Sequence, residues 1–126
     1  MRLSIITVSL NNVVGLKRTV ASVLQQTSRD FEYIVIDGGS TDGTLEFLQQ
    51  NITTFSYWVS EPDEGIYDAM NKGIKRSRGS IISILNSDDI YYKNTLKIAT
   101  NYFNRHQYLD FLFGSVIKYK LLYGYR

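Results

Sequence analysis

The chain has no cysteine, one proline, one histidine and one tryptophan in 126 residues. Without cysteine there is no disulfide scaffold and no thiolate metal site, which fits a reducing compartment. One histidine excludes a histidine-rich metal centre, and His106, at a predicted helix end, reads as a surface residue that complements the helix dipole. No apolar run approaches the roughly 18 residues of a membrane-spanning helix. A net charge of +2 is too small to attract nucleic acid by bulk electrostatics, and no nucleic-acid partner is expected. The chain opens at once on a strand pattern, with Arg2 its only early positive charge, so no signal peptide is expected. Three familiar signatures are also missing. There is no Gly-x-Gly-x-x-Gly after the first strand, no Gly-x-x-x-x-Gly-Lys-Ser/Thr phosphate loop and no Gly-x-Ser-x-Gly elbow.

What is present is ordinary for one globular domain: 44% hydrophobic and 21% charged residues, enough for a core and too apolar for disorder. Leu3 to Leu10 reads as a buried strand. Asn11 and Asn12 end it and can cap a helix from Val13 to Gln26, with Leu16, Val20, Val23 and Leu24 on one face. Phe31 to Ile36 is a second strand. A helix capped by Ser40 or Thr41 runs to Asn51 with Leu45, Phe47 and Leu48 as its apolar residues, and Phe55 to Val59 is a third strand. Ile66, Met70 and Ile74 mark a third helix, ending at Ser77. Ser80 to Leu85 is a fourth strand, taken as buried, and Tyr91 to Arg105 a fourth helix with Leu96, Ile98, Ala99, Tyr102 and Phe103 as burial candidates. Leu109 to Phe113, or on to Tyr119, is a fifth strand pattern. Strands alternating with helices predict an α/β fold, a mostly parallel sheet with helices on both faces. Ligands bind such sheets at the carboxyl edge, where strand order reverses.

Four polar clusters follow strand ends and so converge on that edge. Asp88 and Asp89 are oxygen ligands suited to Mg²⁺ or Mn²⁺ shared with a phosphate, and equally read as an N-cap for a helix starting at Tyr91. Asp37 suits a base N–H or a ribose hydroxyl, or an Asx-turn within Asp37-Gly38-Gly39-Ser40. Asp42 reads as structural. Thr7 and Ser9 end the first strand, where their hydroxyls and nearby backbone groups meet a nucleobase or simply fill a strand end. Asp68 and Asn71, three apart, can both face the rim, and Lys72 is placed to meet phosphate. Glu61 and Glu64 read as solvated loop charges.

The ordered set carries more than its members. Ser-Ile-Ile-Thr-Val-Ser-Leu-Asn-Asn, then Phe-Glu-Tyr-Ile-Val-Ile-Asp-Gly-Gly-Ser-Thr-Asp-Gly-Thr, then Gly65 with Asn71-Lys72-Gly73-Ile74, then Leu85-Asn86-Ser87-Asp88-Asp89 resembles glycosyltransferase family 2 over residues 3–105. The run from Ser60 to Ile74 is similar to a bacterial branch that builds capsule, exopolysaccharide or O-antigen. The resemblance implies a Rossmann-like GT-A fold, a nucleotide-diphospho-sugar donor such as a UDP-sugar, Mn²⁺ or Mg²⁺, inversion at the anomeric centre, and a glycan or lipid-linked acceptor. A cytoplasmic location is expected, with the inner membrane face, peripheral membrane association and homo-oligomerisation left open. It assigns Thr7, Ser9 and Asp37 to the base pocket, with Asn11, Asp68, Asn71 and Lys72 around the donor. Asp88 goes to ribose or metal, Asp89 to the metal, and Asn86 becomes a degenerate first member of an Asp-x-Asp element.

Three departures stand out. Many relatives carry Asp-Asp-Gly-Ser where this chain has Asp37-Gly38-Gly39-Ser40, so one base-contacting carboxylate is missing. Ala69-Met70-Asn71 lacks the arginine of the usual Ala-Arg-Asn. The general base of an inverting transfer lies beyond the metal acids in such enzymes, and Asp110 comes too early to serve. Residues 1–126 are therefore expected to be a single donor-binding domain, truncated before the acceptor half of a domain of roughly 200 residues or more. A non-catalytic nucleotide-sugar-binding or assembly module is the alternative. A nucleotidyltransferase would want a basic Gly-rich loop where Asn11 to Gly15 stands.

Overall fold

A computed structural model describes residues 2–116. Four strands, β1 (Leu3–Ser9), β2 (Phe31–Asp37), β3 (Tyr57–Ser60) and β4 (Ile81–Ile84), alternate with four helices, α1 (Val13–Leu24), α2 (Thr44–Gln50), α3 (Ile66–Arg76) and α4 (Thr95–Arg105). All strand pairs are parallel, in the order β3-β2-β1-β4. The chain steps outward from β1 through β2 to β3, then crosses back to lay β4 on the other side of β1. Strand order thus reverses between β1 and β4.

β1 and β2 are central and need apolar residues on both faces. Leu3, Ile5, Tyr33 and Val35 meet Leu16, Val20 and Val23 of α1, Leu48 of α2 and Leu96 of α4. On the opposite face Ile6, Val8, Ile34 and Ile36 meet Ala69 and the half-buried Met70 of α3. The helices therefore cover both faces, as the alternating pattern requires.

Several sequence expectations change. The Ile66, Met70 and Ile74 stripe is not the buried face of α3, because Ile66 and Ile74 are exposed. The buried positions are Ala69 and Gly73. Large β-branched residues already fill that side of the sheet, so only small residues let the helix backbone come close; a Cβ on Gly73 would lie 2.4 Å from Ile6 Cγ2. Leu24, Ile98 and Tyr102 are likewise exposed. β4 is an edge strand rather than a buried one: it pairs with β1 alone among the described residues, and Ile82 and Ile84 are exposed on the α3 side. The helix expected from Tyr91 starts at Thr95 behind Asn94, because Tyr91 turns inward to hydrogen-bond Ser83. α2 starts at Thr44, later than a Ser40 or Thr41 cap implies. No strand forms over Leu109–Phe113; Phe111 and Phe113 are exposed there, with no strand among the described residues to pair them. The extension to Tyr119 lies outside the described residues.

Candidate functional site

The carboxyl ends of β1 and β4 frame a cleft of about 280 Å³ at the point of strand reversal. The backbone of the β4 extension stays paired beyond the strand. Leu85 N donates to Ile6 O at 2.8 Å and Ser87 N to Val8 O at 3.0 Å. Val8, Ser9 and Leu10 therefore face Asn86 and Ser87 across the floor. The far wall comes from the loop before α3 and its first turn: Asp63, Gly65, Ile66 and Ala69. Val8, Leu10, Ile66 and Ala69 make that cavity largely apolar.

Two buried polar atoms in this lining have no hydrogen-bond partner among the described residues, Ser9 Oγ and Asn86 Oδ1. Such atoms are rare in folded proteins, since each forfeits the hydrogen bonds that water supplied. Both belong to residues that the sequence singled out, and both sit where a ligand would complete their bonding.

The other candidates hold the rim in place. Asp37, wholly buried, accepts from Ser40 N at 2.8 Å, Gly39 N at 3.2 Å, Ser60 Oγ at 2.7 Å and Ser40 Oγ. The Asx-turn reading is the one observed, and Asp37 joins the β2 and β3 loops instead of facing the cleft. Gly39 takes φ +88°, and a Cβ there would lie 3.1 Å from Pro62 N; only glycine suits that backbone and that approach. Asn11, at φ 48°, receives Thr41 N on Oδ1 at 2.9 Å, while its own amide donates to Ser40 Oγ at 2.7 Å. Asp42 accepts Val13 N at 2.8 Å and Thr44 Oγ1 at 2.7 Å. Burial tends to raise its pKa, but the Thr44 hydroxyl and the Val13 and Thr44 amides outweigh that and hold it below the usual range. Its structural reading stands.

Thr7 lies in the core and outside the cleft lining. It is wholly buried, and its hydroxyl bonds the Tyr33 phenol at 2.9 Å in the core. Thr7 sits below the strand end, inside the core between β1 and the neighbouring Tyr33, and it is not among the cleft-lining residues, whereas Val8, Ser9 and Leu10, at the strand's carboxyl end, are. Lys72 is engaged by Glu61 at 3.2 Å and by the Pro62 carbonyl at 3.4 Å, and the Glu61 carboxylate raises its pKa. It braces the loop, so Glu61 is not simply a solvated charge. Asp68 accepts Glu64 N at 3.0 Å. Asn71 is exposed and lies outside the cleft lining.

The acidic turn sits on the β4 side. Asp89 N donates to Asn86 O at 3.1 Å, Thr19 Oγ1 holds the Asp89 carbonyl at 2.7 Å, and Asp88 adopts φ 80°. Asp88 pairs with Arg18 of α1 through both Nε and Nη2. The N-cap reading of the pair fails, because Asn94 takes that position. Asp89 is exposed. Among the described residues no group of three or more His, Asp or Glu side chains converges as a metal cage. Asp89 and Asn86 share the turn after β4, and their side chains offer a carboxylate and an amide oxygen, hard donors of the type that suits a cation keeping its waters and completed by phosphate.

Sequence reasoning overlooked Asp63 and Arg18. Asp63 belongs to the polar loop after β3, which the sequence placed on this edge without giving that residue a task, and it lines the cleft. Arg18 gave no local signal, since its partner lies 70 positions away.

Comparison with known proteins agrees with this fold. The sequence model of glycosyl transferase family 2 matches residues 4–124. An uncharacterised glycosyltransferase of Mycobacterium tuberculosis is 49% identical over 87 residues, covering 68% of this chain and 33% of its own length. The chain thus spans about a third of that curated relative. S. aureus TarS 1–349, solved in complex with UDP-GlcNAc, superposes with a TM-score of 0.76 at 25% identity, over 85% of this chain and 32% of that one. A mannosyltransferase from Pyrobaculum calidifontis, in complex with GDP-Man and Mn²⁺, shares the fold with a TM-score of 0.71 at 24% identity, over 81% of this chain and 32% of that one.

Proposed function

The chain belongs to glycosyl transferase family 2, and on that premise we propose that it holds the nucleotide-diphospho-sugar donor of a metal-dependent, inverting sugar transfer. The observation that carries this reading is the cleft at the strand reversal, with Ser9 Oγ and Asn86 Oδ1 buried and unpartnered among the described residues. A uridine-diphospho-sugar is the donor that the likeness to TarS, solved with UDP-GlcNAc, supports. A glycan or lipid-linked acceptor in cell-surface polysaccharide synthesis completes the proposal.

In this reading each part of the site has a physical task. Val8, Leu10 and Ile66 shield a base from water. The Asp37 and Asn11 network keeps the β2 loop rigid, so the cleft is shaped before the donor arrives and less ordering is needed on binding. Arg18 holds Asp88, and with it the turn that presents Asp89. Asp89 and the Asn86 amide oxygen are the residues that would hold Mn²⁺ or Mg²⁺. That ion supplies electrostatic stabilisation of the diphosphate as negative charge develops on it.

Calorimetric titration of the chain with UDP, with and without Mn²⁺, tests the proposal. Binding that strengthens with Mn²⁺ is expected, and Asp89→Ala should remove the metal dependence with the circular dichroism spectrum unchanged. Absence of binding to every nucleoside diphosphate tried, with metal present, would sink it.

A further inference from the structure

One residue of the far wall, the carboxylate Asp63, has no task in the donor reading. Asp63 lines the cleft together with Ser9, Leu10 and Ile66. Gly38 lies between Asp63 and Ser9. Its amide donates to the Ser9 carbonyl at 2.9 Å. A Cβ on Gly38 would stand 3.0 Å from Asp63 Oδ2 and 3.3 Å from Leu10 Cδ1. The Asp63 carboxylate therefore occupies the space into which a side chain at position 38 would grow.

The carboxylate is also oriented. Oδ1 accepts the Gly65 amide at 2.9 Å, which fixes its rotation and leaves Oδ2 on the Gly38 side as the open acceptor. Ser9 supplies an independent observation. The residue is only 7% exposed, and its Oγ has no partner among the described residues. The cleft thus offers one hydroxyl that can donate and one carboxylate oxygen that can only accept, between the apolar side chains of Leu10 and Ile66.

That pattern is the complement of a ring N–H beside a carbonyl. We propose that Asp63 is the base-reading residue of this cleft, selecting a pyrimidine imide, uracil or thymine, by accepting its ring N–H in the place a carboxylate at position 38 would take. The inference rests on the donor reading above and adds to it the residue that sets base choice. Cytosine and adenine present a ring nitrogen lone pair, which the carboxylate repels. Guanine presents two adjacent N–H donors and suits a carboxylate with both oxygens open, whereas Asp63 has committed one to Gly65.

Titration of the 126-residue chain with UDP, CDP and GDP in the presence of Mn²⁺ decides the matter, using Asp63→Ala, Asp63→Asn and the double variant Gly38→Asp/Asp63→Ala. A charge-assisted hydrogen bond of ordinary strength predicts that Asp63→Ala weakens UDP about tenfold or more and leaves CDP little changed. Gly38→Asp in that background should restore the preference for UDP, which a merely structural role for Asp63 would not produce. Folding of each variant is checked by thermal melt. If Asp63→Ala does not fold, the UDP-to-CDP affinity ratio of Asp63→Asn decides, and it should collapse toward unity. A folded variant with unaltered base preference overturns the inference while leaving the donor reading intact. Failure of the unaltered chain to bind any of the three overturns both.

Discussion

At the scale of single residues, the site separates into side chains left open and side chains already spent. Ser9 and Asn86 keep buried polar atoms without partners among the described residues, while Asp37, Asn11 and Lys72 have theirs taken by neighbouring loops. A sequence shows which residues can bond a ligand, but not which have been claimed from elsewhere in the chain. Thr7 makes the point testable. Its hydroxyl satisfies the buried Tyr33 phenol, whose pKa burial pushes far above the ordinary value. Thr7→Val keeps the shape and strands that phenol without its partner. The variant should lose about 1–3 kcal/mol of stability in urea denaturation and bind UDP as the parent does. A loss of UDP affinity with unchanged stability would return Thr7 to the base pocket.

At the scale of elements, alternation was legible and packing distance was not. Periodicity located the four α-helices and four strands, though not the short 3-10 turn Ile52–Thr54, and it gave a fifth strand that does not form; the polar clusters after Ser9, Asp37, Ser60 and Ile84 do follow strand ends on one edge. That much follows from local pattern and from the rule for parallel sheets. The facing of α3 did not follow, because its largest apolar residues are not the ones that touch the sheet. Ile6, Ile34 and Ile36 fill the interface from below, and α3 answers with Ala69 and Gly73. The start of α4 was missed for a similar reason: Tyr91 is drawn inward to Ser83 by a contact that no propensity encodes. Gly73→Ala tests the close approach. Its Cβ would fall 2.4 Å from Ile6 Cγ2, inside any allowed contact, so either α3 lifts from the sheet or Ile6 is forced out of place. Despite the helix propensity that alanine adds, overpacking should cost about 1–3 kcal/mol. Because α3 supplies Ile66 and Ala69 to the cleft, UDP affinity should fall as well. By contrast Ile74→Gln, on the exposed stripe, should change stability by no more than about 0.5 kcal/mol. Equal effects of the two changes would reject this packing.

At the scale of the whole molecule, β2 carries a carboxylate at each end, and the two fasten opposite edges of the sheet. Asp37 ties the loops at the carboxyl edge, beside the cleft. Glu32, near the amino end and only 6% exposed, accepts from the Ser4 hydroxyl of β1 and from the Arg78 and Gly79 amides, the latter at 3.1 Å. It thereby joins β2 and β1 to the turn that leads α3 into β4. This far clamp matters for the cleft because β4 delivers Asn86 to Asp89 yet, among the described residues, pairs only with β1. Burial alone would raise the Glu32 pKa; the Ser4 hydroxyl, the Arg78 and Gly79 amides and the nearby Arg2 charge reverse this and bring it below its ordinary 4.5. A carboxylate with a lower pKa folded than unfolded stabilises the fold fully above the unfolded value. That contribution is lost as pH falls through the folded one. Glu32→Gln removes the charge on which those bonds depend. At pH 7 it should cost about 1–3 kcal/mol. On acidification from near pH 5 to below pH 4 it should lose less stability than the parent, so the two melting curves converge. Thermal melts of both proteins across that range provide the check. Parallel loss with acid would show that the far edge of the sheet is held by something other than this carboxylate.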